Sequence, residues 1–289
     1  MVLARPKDLV FTLFGDYLLH RPGPVWVGSI LDLLEPLEVS ATSARTTLSR
    51  MCAEGWFTTF REGRKSFYEL TTHGRRLLEE GEERIHHPRW GDAGDGRWLL
   101  VTYSIPEEER SLRDRFRDRL LWLGFGSLGN GLWISPHPVA DEVRREAEAL
   151  GLAGYMEVFR ADHLGGSDPA TLVSRCWDLE RINGRYQEFI SRHISGFQEL
   201  RAAADRGEDG DGITPEDAFV RRFRLIHEYR EFPLLDPYLP ERLLPEGWAG
   251  ECASVFFERY YEALAGRANA YVDERVVTPA LTPASRADR

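Results

Sequence analysis

The sequence predicts an α+β chain in three parts. These are an N-terminal winged helix-turn-helix over residues 1–88, a ferredoxin-like βαββαβ middle domain over 96–165 and an all-helical C-terminal domain over 168–275, with a flexible tail at 276–289. Three observations predict it. At 289 residues the chain is long for one domain. Two Gly- and Asp-rich breaks, HHPRWGDAGDGR (86–97) and DHLGGSDPAT (162–171), interrupt the periodic segments. Between those breaks the hydrophobic period changes from mixed, to strand-helix-strand, to wholly helical.

In the first part, Leu9, Leu13 and Phe14 recur at helical spacing within Asp8–Leu19, and Val27–Leu34 forms a second helix ended before Pro36. A third helix starts at Ser40, a good N-cap, and stops at Gly55, a good residue to follow a helix. At 100° per residue, Ala44, Leu48 and Met51 fall on one side of it. Thr42, Arg45, Thr46 and Ser49 fall on the other, with Arg50 at the flank. Two aromatic-rich strands, 56–61 and 66–70, then flank the turn Glu62-Gly63-Arg64-Lys65, and Thr72 caps a helix through RRLLEEGEERI.

In the middle part, RWLLVTYSI (97–105) reads as a buried strand and 107–123 as a helix with Leu112, Phe116, Leu120 and Leu123 inward. GFGSL (124–128) and GLWIS (131–135) are two strands joined across Gly129-Asn130. Asp141–Leu150 is a helix and YMEVFRA (155–161) the last strand. Strand-helix-strand-strand-helix-strand is the ferredoxin-like order.

In the third part, Leu172, Cys176, Leu179, Asn183, Tyr186, Ile190, His193 and Phe197 step by fours and threes, a coiled-coil-like seam that suits either a subunit interface or packing within its own domain. The stretch DRGEDGDGITPED (205–217) reads as a loop. Phe219, Phe223 and Ile226 stripe a further helix, and a proline-broken connector (232–245) leads to a last helix through VFFERYYEAL.

Composition narrows the function classes. No run approaches the ~20 apolar residues of a membrane helix, and no cleavable leader is evident, so a cytoplasmic protein is expected. Cys52, Cys176 and Cys252 share no ligand spacing, which points to reduced, mostly buried thiols rather than disulfides or zinc. His86, His87 and His137 sit in Pro-containing stretches without partners at ligand spacing, and a surface role is expected. No metal and no cofactor is expected.

The net charge of −10 is unevenly placed: residues 40–76 carry seven basic side chains against three acidic ones. A polyanion responds to that local field. Helices beneath a third helix with a basic-tipped hairpin after it describe a winged helix-turn-helix, whose third helix enters the major groove while the hairpin reaches phosphates. Arg45 and Arg50 are long enough for base edges, Thr42, Thr46 and Ser49 suit bases or phosphates, and Arg61, Arg64 and Lys65 supply the tip.

A specific resemblance follows. DLVFTLFGDYL, VWVGSILDLLEPL, ARTTLSRMCAEGWF and GRKSFYELTTHGRRLL resemble the N-terminal domain of the PaaX family of bacterial transcriptional regulators. GRWLLVTYSIPEEERSLRDRFRDRLLWLGFGSLGNGLWISPH resembles its middle domain, and RRFRLIHEYREFPLLDPYLPERLLPEGW its C-terminal signature. The resemblance implies a dimeric repressor of aromatic-acid catabolism genes, phenylacetate degradation in the founding members. Such a dimer reads a roughly palindromic double-stranded operator and is released by an aryl-acyl-CoA such as phenylacetyl-CoA.

A rival reading comes from the middle part, whose plan also resembles a small CRISPR-associated metal-dependent endonuclease. Such enzymes hold a metal with an aspartate just after the first strand's Tyr. Here Tyr103 is followed by Ser104, and the nearest acids, Glu107, Glu108 and Glu109, suit the first turn of a helix. For an acyl-CoA, Arg221, Arg222, Arg224 and Arg230 beside Phe219, Phe223 and Tyr229 offer cations and apolar surface. Arg175, Arg181 and Arg185 beside Trp177 and Tyr186 do the same. Neither group is singled out, and the ligand residues stay unassigned.

Overall fold

The computed structural model describes residues 5–87, 96–206 and 212–279. Most of the first expected linker, the tip of the 205–217 loop and residues 280–289 lie outside the described residues.

Helix α1 (Pro6–Leu13) runs into a π-helical turn, Phe14–Leu18. A two-residue strand, β1 (Val25–Trp26), precedes α2 (Val27–Leu34), and sequence periodicity gives no sign of a strand so short. Helix α3 (Ala41–Ala53) begins where Ser40 Oγ accepts the Ser43 amide at 3.2 Å. It ends before Gly55, whose φ of +80° a side chain would strain. Its inward residues Ala44, Leu48 and Met51 are fully buried. Strands β2 (Phe57–Glu62) and β3 (Lys65–Leu70) pair around the two-residue turn Gly63-Arg64, and β1 adds on the far side of β3, giving the antiparallel order β1-β3-β2. Helix α4 (Thr72–His86) follows. Its cap is Thr71 rather than Thr72, because Thr71 Oγ1 accepts the Gly74 amide at 3.0 Å.

The middle part has the expected element order. Strand β4 (Trp98–Tyr103) is followed by a 3₁₀ turn, Glu107–Glu109, and α5 (Arg110–Trp122). Then come β5 (Gly126–Gly129), β6 (Leu132–Ser135), α6 (Ala140–Ala149) and β7 (Met156–Ala161). The sheet is antiparallel with order β5-β6-β4-β7. Leu99, Val101, Phe116, Leu120, Val143 and Ala147 form its core, with Leu112 and Leu123 packed at its rim.

The helical part departs from the expected seam. Helix α7 (Pro169–Cys176) ends at Trp177, which is extended (φ −138°, ψ 137°), and α8 (Leu179–Asp205) starts anew. The break resets the helical phase, so the buried face of α8 starts with Leu179, Ile182, Tyr186 and Phe189. Helices α9 (Pro215–Tyr229), α10 (Phe232–Leu235) and α11 (Gly250–Arg275) complete the chain.

Packing divides the described chain into two compact units. One gathers residues of Met1–His86, Arg192–Arg230 and Val255–Arg289; the other gathers His87–Ser191 and Glu231–Ser254. Segment 168–275 therefore contributes to both. In the first unit, Tyr17 lies 5.2 Å from Phe219, Tyr229 stacks on Phe257 at 3.9 Å, and Arg222 reaches Asp16 at 3.0 Å. The tail expected to be flexible begins with residues held in place. The Trp26 amide donates to the Val277 carbonyl at 3.0 Å, and Pro279 is buried.

In the second unit, Tyr186 stacks on Phe232 at 4.0 Å and donates to Asp236 at 2.7 Å. His137 is not a surface residue: it is 6% exposed, with Nε2 at 2.6 Å from the Pro237 carbonyl. The cysteines are free, but Cys252 is exposed while Cys52 and Cys176 are half-buried. Cys252 stands on the solvent side of α11, one position before the buried Ala253.

Candidate nucleic-acid interface

Thr42, Arg45, Thr46, Ser49 and Arg50 are all exposed on α3, and Arg61, Arg64 and Lys65 are all exposed on the hairpin. Thr46 Oγ1 donates to the Thr42 carbonyl at 2.9 Å, which uses its proton within the helix and leaves its oxygen free to accept. Glu54, the acid at the end of α3, is taken by Lys7 Nζ at 2.5 Å and by Trp56 Nε1 at 3.1 Å. These bonds hold its carboxyl below the usual range, with the Arg50 charge acting the same way. Among the described residues, Arg45, Arg50, Arg61 and Arg64 form no ion pair with a carboxylate.

The hairpin register decides which tip residues act together. Directly opposed residues share a face of the sheet. Arg61 opposes Ser66 and Thr59 opposes Tyr68, so these four share one face. Glu62 opposes Lys65, Phe60 opposes Phe67 and Phe67 opposes Trp26, on the other. Gly63 takes a positive φ of 58°, as the first central residue of such a tight hairpin requires. The three tip cations are therefore split: Arg61 on one face, Arg64 in the turn and Lys65 on the opposite face, with its ammonium 4.9 Å from the Trp26 ring centroid.

The Arg61 face is the one that meets α3. Burial pushes the Tyr68 hydroxyl up, the Cys52 thiol adds to this and the Arg45 charge pulls it back. On the same face Phe57 meets the Tyr68 ring at 6.4 Å and the Phe14 ring at 4.5 Å, so the helices pack on the side of Thr59, Arg61, Ser66 and Tyr68. Ser66 and Tyr68 are absent from the sequence-based candidates. Their signal is the alternation along Lys65–Leu70, whose two sides are told apart only once the two-residue turn has fixed the register.

The other candidate chemistries are engaged elsewhere. Arg221 pairs with Glu199 at 3.4 Å, Arg222 with Asp16 at 3.0 Å and Arg224 with Glu38 at 3.6 Å. Arg230 lies 3.9 Å from Asp8, and Arg185 pairs with Glu231 at 2.5 Å. Phe219, Phe223 and Tyr229 are buried, so this group offers no open apolar slot. At the end of β4, Tyr103 and Ser104 border a shallow groove of about 280 Å³ whose one carboxylate is Glu157. Glu107 is held by Arg113 at 2.9 Å and Arg110 at 3.8 Å.

Family models match the chain in three consecutive blocks: PaaX-like protein over residues 5–74, PaaX protein central Cas2-like domain over 91–173, and PaaX-like protein C-terminal domain over 177–274. The chain is 37% identical over 274 residues to the transcriptional repressor PaaX of Escherichia coli (strain K12), covering 93% of this chain and 83% of that protein. It is also similar to the structure of an uncharacterized protein from Mycobacterium tuberculosis, with a TM-score of 0.54 and 21% identity over 94% of this chain and 99% of that one. That last likeness is one of fold.

Proposed function

The chain belongs to the PaaX family, and from that premise we propose that it is a transcriptional repressor that reads DNA through an N-terminal winged helix-turn-helix. In this reading α3 enters the major groove, where Arg45 and Arg50 face base edges and Thr42, Thr46 and Ser49 face bases or phosphates. The β2–β3 hairpin is the wing, and Arg61, Arg64 and Lys65 lie along the backbone. The observation that carries the proposal is the exposure of Arg45 and Arg50 on α3 and of Arg61 and Arg64 on the hairpin, none of them paired with a carboxylate among the described residues.

The family's pattern supplies the rest of the reading. The protein acts as a cytoplasmic homodimer on a roughly palindromic operator, controls aromatic-acid catabolism of the phenylacetate type and is released by an aryl-acyl-CoA. Release requires the effector to bind the DNA-incompetent arrangement more tightly than the competent one. In this reading it is a regulator and not an enzyme, in keeping with its similarity to a protein named a transcriptional repressor.

Salt titrations test the interface. Replacing Arg64 and Lys65 together by Ala should weaken binding to every duplex and lower the log–log salt slope by roughly 0.9 for each phosphate no longer neutralised. An unchanged slope refutes the wing. Replacing Arg45 by Ala should reduce discrimination between operator and random duplex by about 1–3 kcal/mol; an equal loss on both duplexes would make it a backbone contact.

A further inference from the structure

Lys65 is directly opposite Glu62 across the hairpin, yet no ion pair joins them. Its ammonium lies instead over the indole of Trp26. A carboxylate would neutralise the lysine and compete with a phosphate for it. The negative face of an aromatic ring directs the ammonium and leaves its full charge.

The indole is itself held from two directions. A Cβ added at Gly28 would lie 2.3–2.5 Å from three atoms of its six-membered ring, so the ring rests directly on the backbone of α2. The Trp26 backbone belongs to a strand of two residues, too short to hold a position by one ladder alone. One edge of that strand pairs with β3. On the other edge the Trp26 amide donates to the Val277 carbonyl at 3.0 Å, and the Val277 amide donates to Ser29 Oγ at 2.9 Å. Ser29 is fully buried. The residues that follow α11 thus close the open edge of the sheet as a strap. Contacts run without a gap from Val277 to the Trp26 backbone, to its indole and to Lys65.

We propose that Trp26, seated on Gly28 and tethered by the strap at Val277, is a positioning residue that presents Lys65 to a DNA phosphate. The proposal rests on the wing reading above. It makes the packing of the C-terminal segment a determinant of the hairpin's grip on DNA, through residues that touch no nucleotide.

The experiment measures the salt slope of binding to a random-sequence duplex by fluorescence anisotropy. Lys65→Ala should lower the slope by roughly 0.9, as expected when one phosphate is no longer neutralised. Gly28→Ala puts a better helix former into α2 but removes the seat of the ring, and it should give the same reduction. The double variant should fall no further than Lys65→Ala alone, because both act through one side chain. Trp26→Phe, which keeps a ring, should retain most of the slope, and Trp26→Leu should not.

A wild-type slope for Gly28→Ala or Trp26→Leu, with Lys65→Ala reduced, overturns the positioning role and leaves the wing intact. An additive reduction in the double variant overturns it as well, since Trp26 would then make its own contact. A wild-type slope for Lys65→Ala removes Lys65 from the wing and the proposal with it. The Trp26 pair decides the question even if Gly28→Ala fails to fold.

Discussion

Arg222→Met tests how the N-terminal segment is fastened to α9 and α11. The Asp16 and Arg222 side chains are 4% and 7% exposed, and their closest atoms are 3.0 Å apart. The second Asp16 oxygen accepts the Tyr261 hydroxyl, while Arg222 Nε donates to the Tyr261 carbonyl at 3.3 Å. The guanidinium also lies 3.7 Å from the Tyr261 ring centroid and 5.1 Å from that of Tyr17. Methionine fills a similar volume but leaves Asp16 buried without its charge partner.

Breaking such a pair costs about 3–5 kcal/mol. At the ~2–4 °C per kcal/mol of a large domain, Tm should fall by roughly 6–20 °C. The penalty should also depend on pH. Burial raises the Asp16 carboxyl while the Arg222 charge lowers it, with the net shift upward. Losing Arg222 raises it further. An acid whose folded pKa exceeds its unfolded one contributes stability that is lost as pH rises, so the penalty should be smaller near about pH 5 than near about pH 8. Replacing both partners, Asp16→Leu with Arg222→Met, should restore stability to within about 1 kcal/mol of the parent. Urea and thermal unfolding of the three variants decide it. A single-variant cost under about 1 kcal/mol, or a double variant as unstable as the sum of the singles, would refute the pair as the fastening.

Other outcomes follow from the same structure. Ser40→Ala should cost about 1 kcal/mol by freeing the Ser43 amide at the start of α3, measured as a lower urea midpoint at unchanged slope. Leu48→Ala should cost about 2–5 kcal/mol, because Leu48 is fully buried beneath the polar face of α3. Burial pushes the Asp236 carboxyl up to about 6, against the hydrogen bonds from Tyr186 and the Tyr238 amide that lower it. The wild-type stability advantage over Asp236→Asn should therefore decline by about 2 kcal/mol between about pH 4 and pH 6. A flat difference between the two unfolding curves would contradict that environment. Among the thiols, exposed Cys252 should react first with a disulfide reagent. Burial pushes Cys176 up to about 11, leaving on the order of one thiolate in ten thousand at neutral pH, so it should lag far behind.

The sequence by itself determined α3, with its Ser40 cap, its stop at Gly55 and its aliphatic and polar sides, because these depend on neighbours within four residues. It likewise determined the order of elements in the middle part and the exposure of all eight candidate DNA-facing residues. Tertiary structure alone decided the rest. The register that turns Arg61 toward α3 and Lys65 away from it follows from a single two-residue turn. Strand β1 exists because β3 and Val277 flank it, and His137 is buried where its ring meets the Pro237 carbonyl. Arg222, a plausible ligand cation in the sequence, is consumed by Asp16 from 206 residues away. Local periodicity says which way a side chain points; what it meets there is set by segments that only the folded chain brings together.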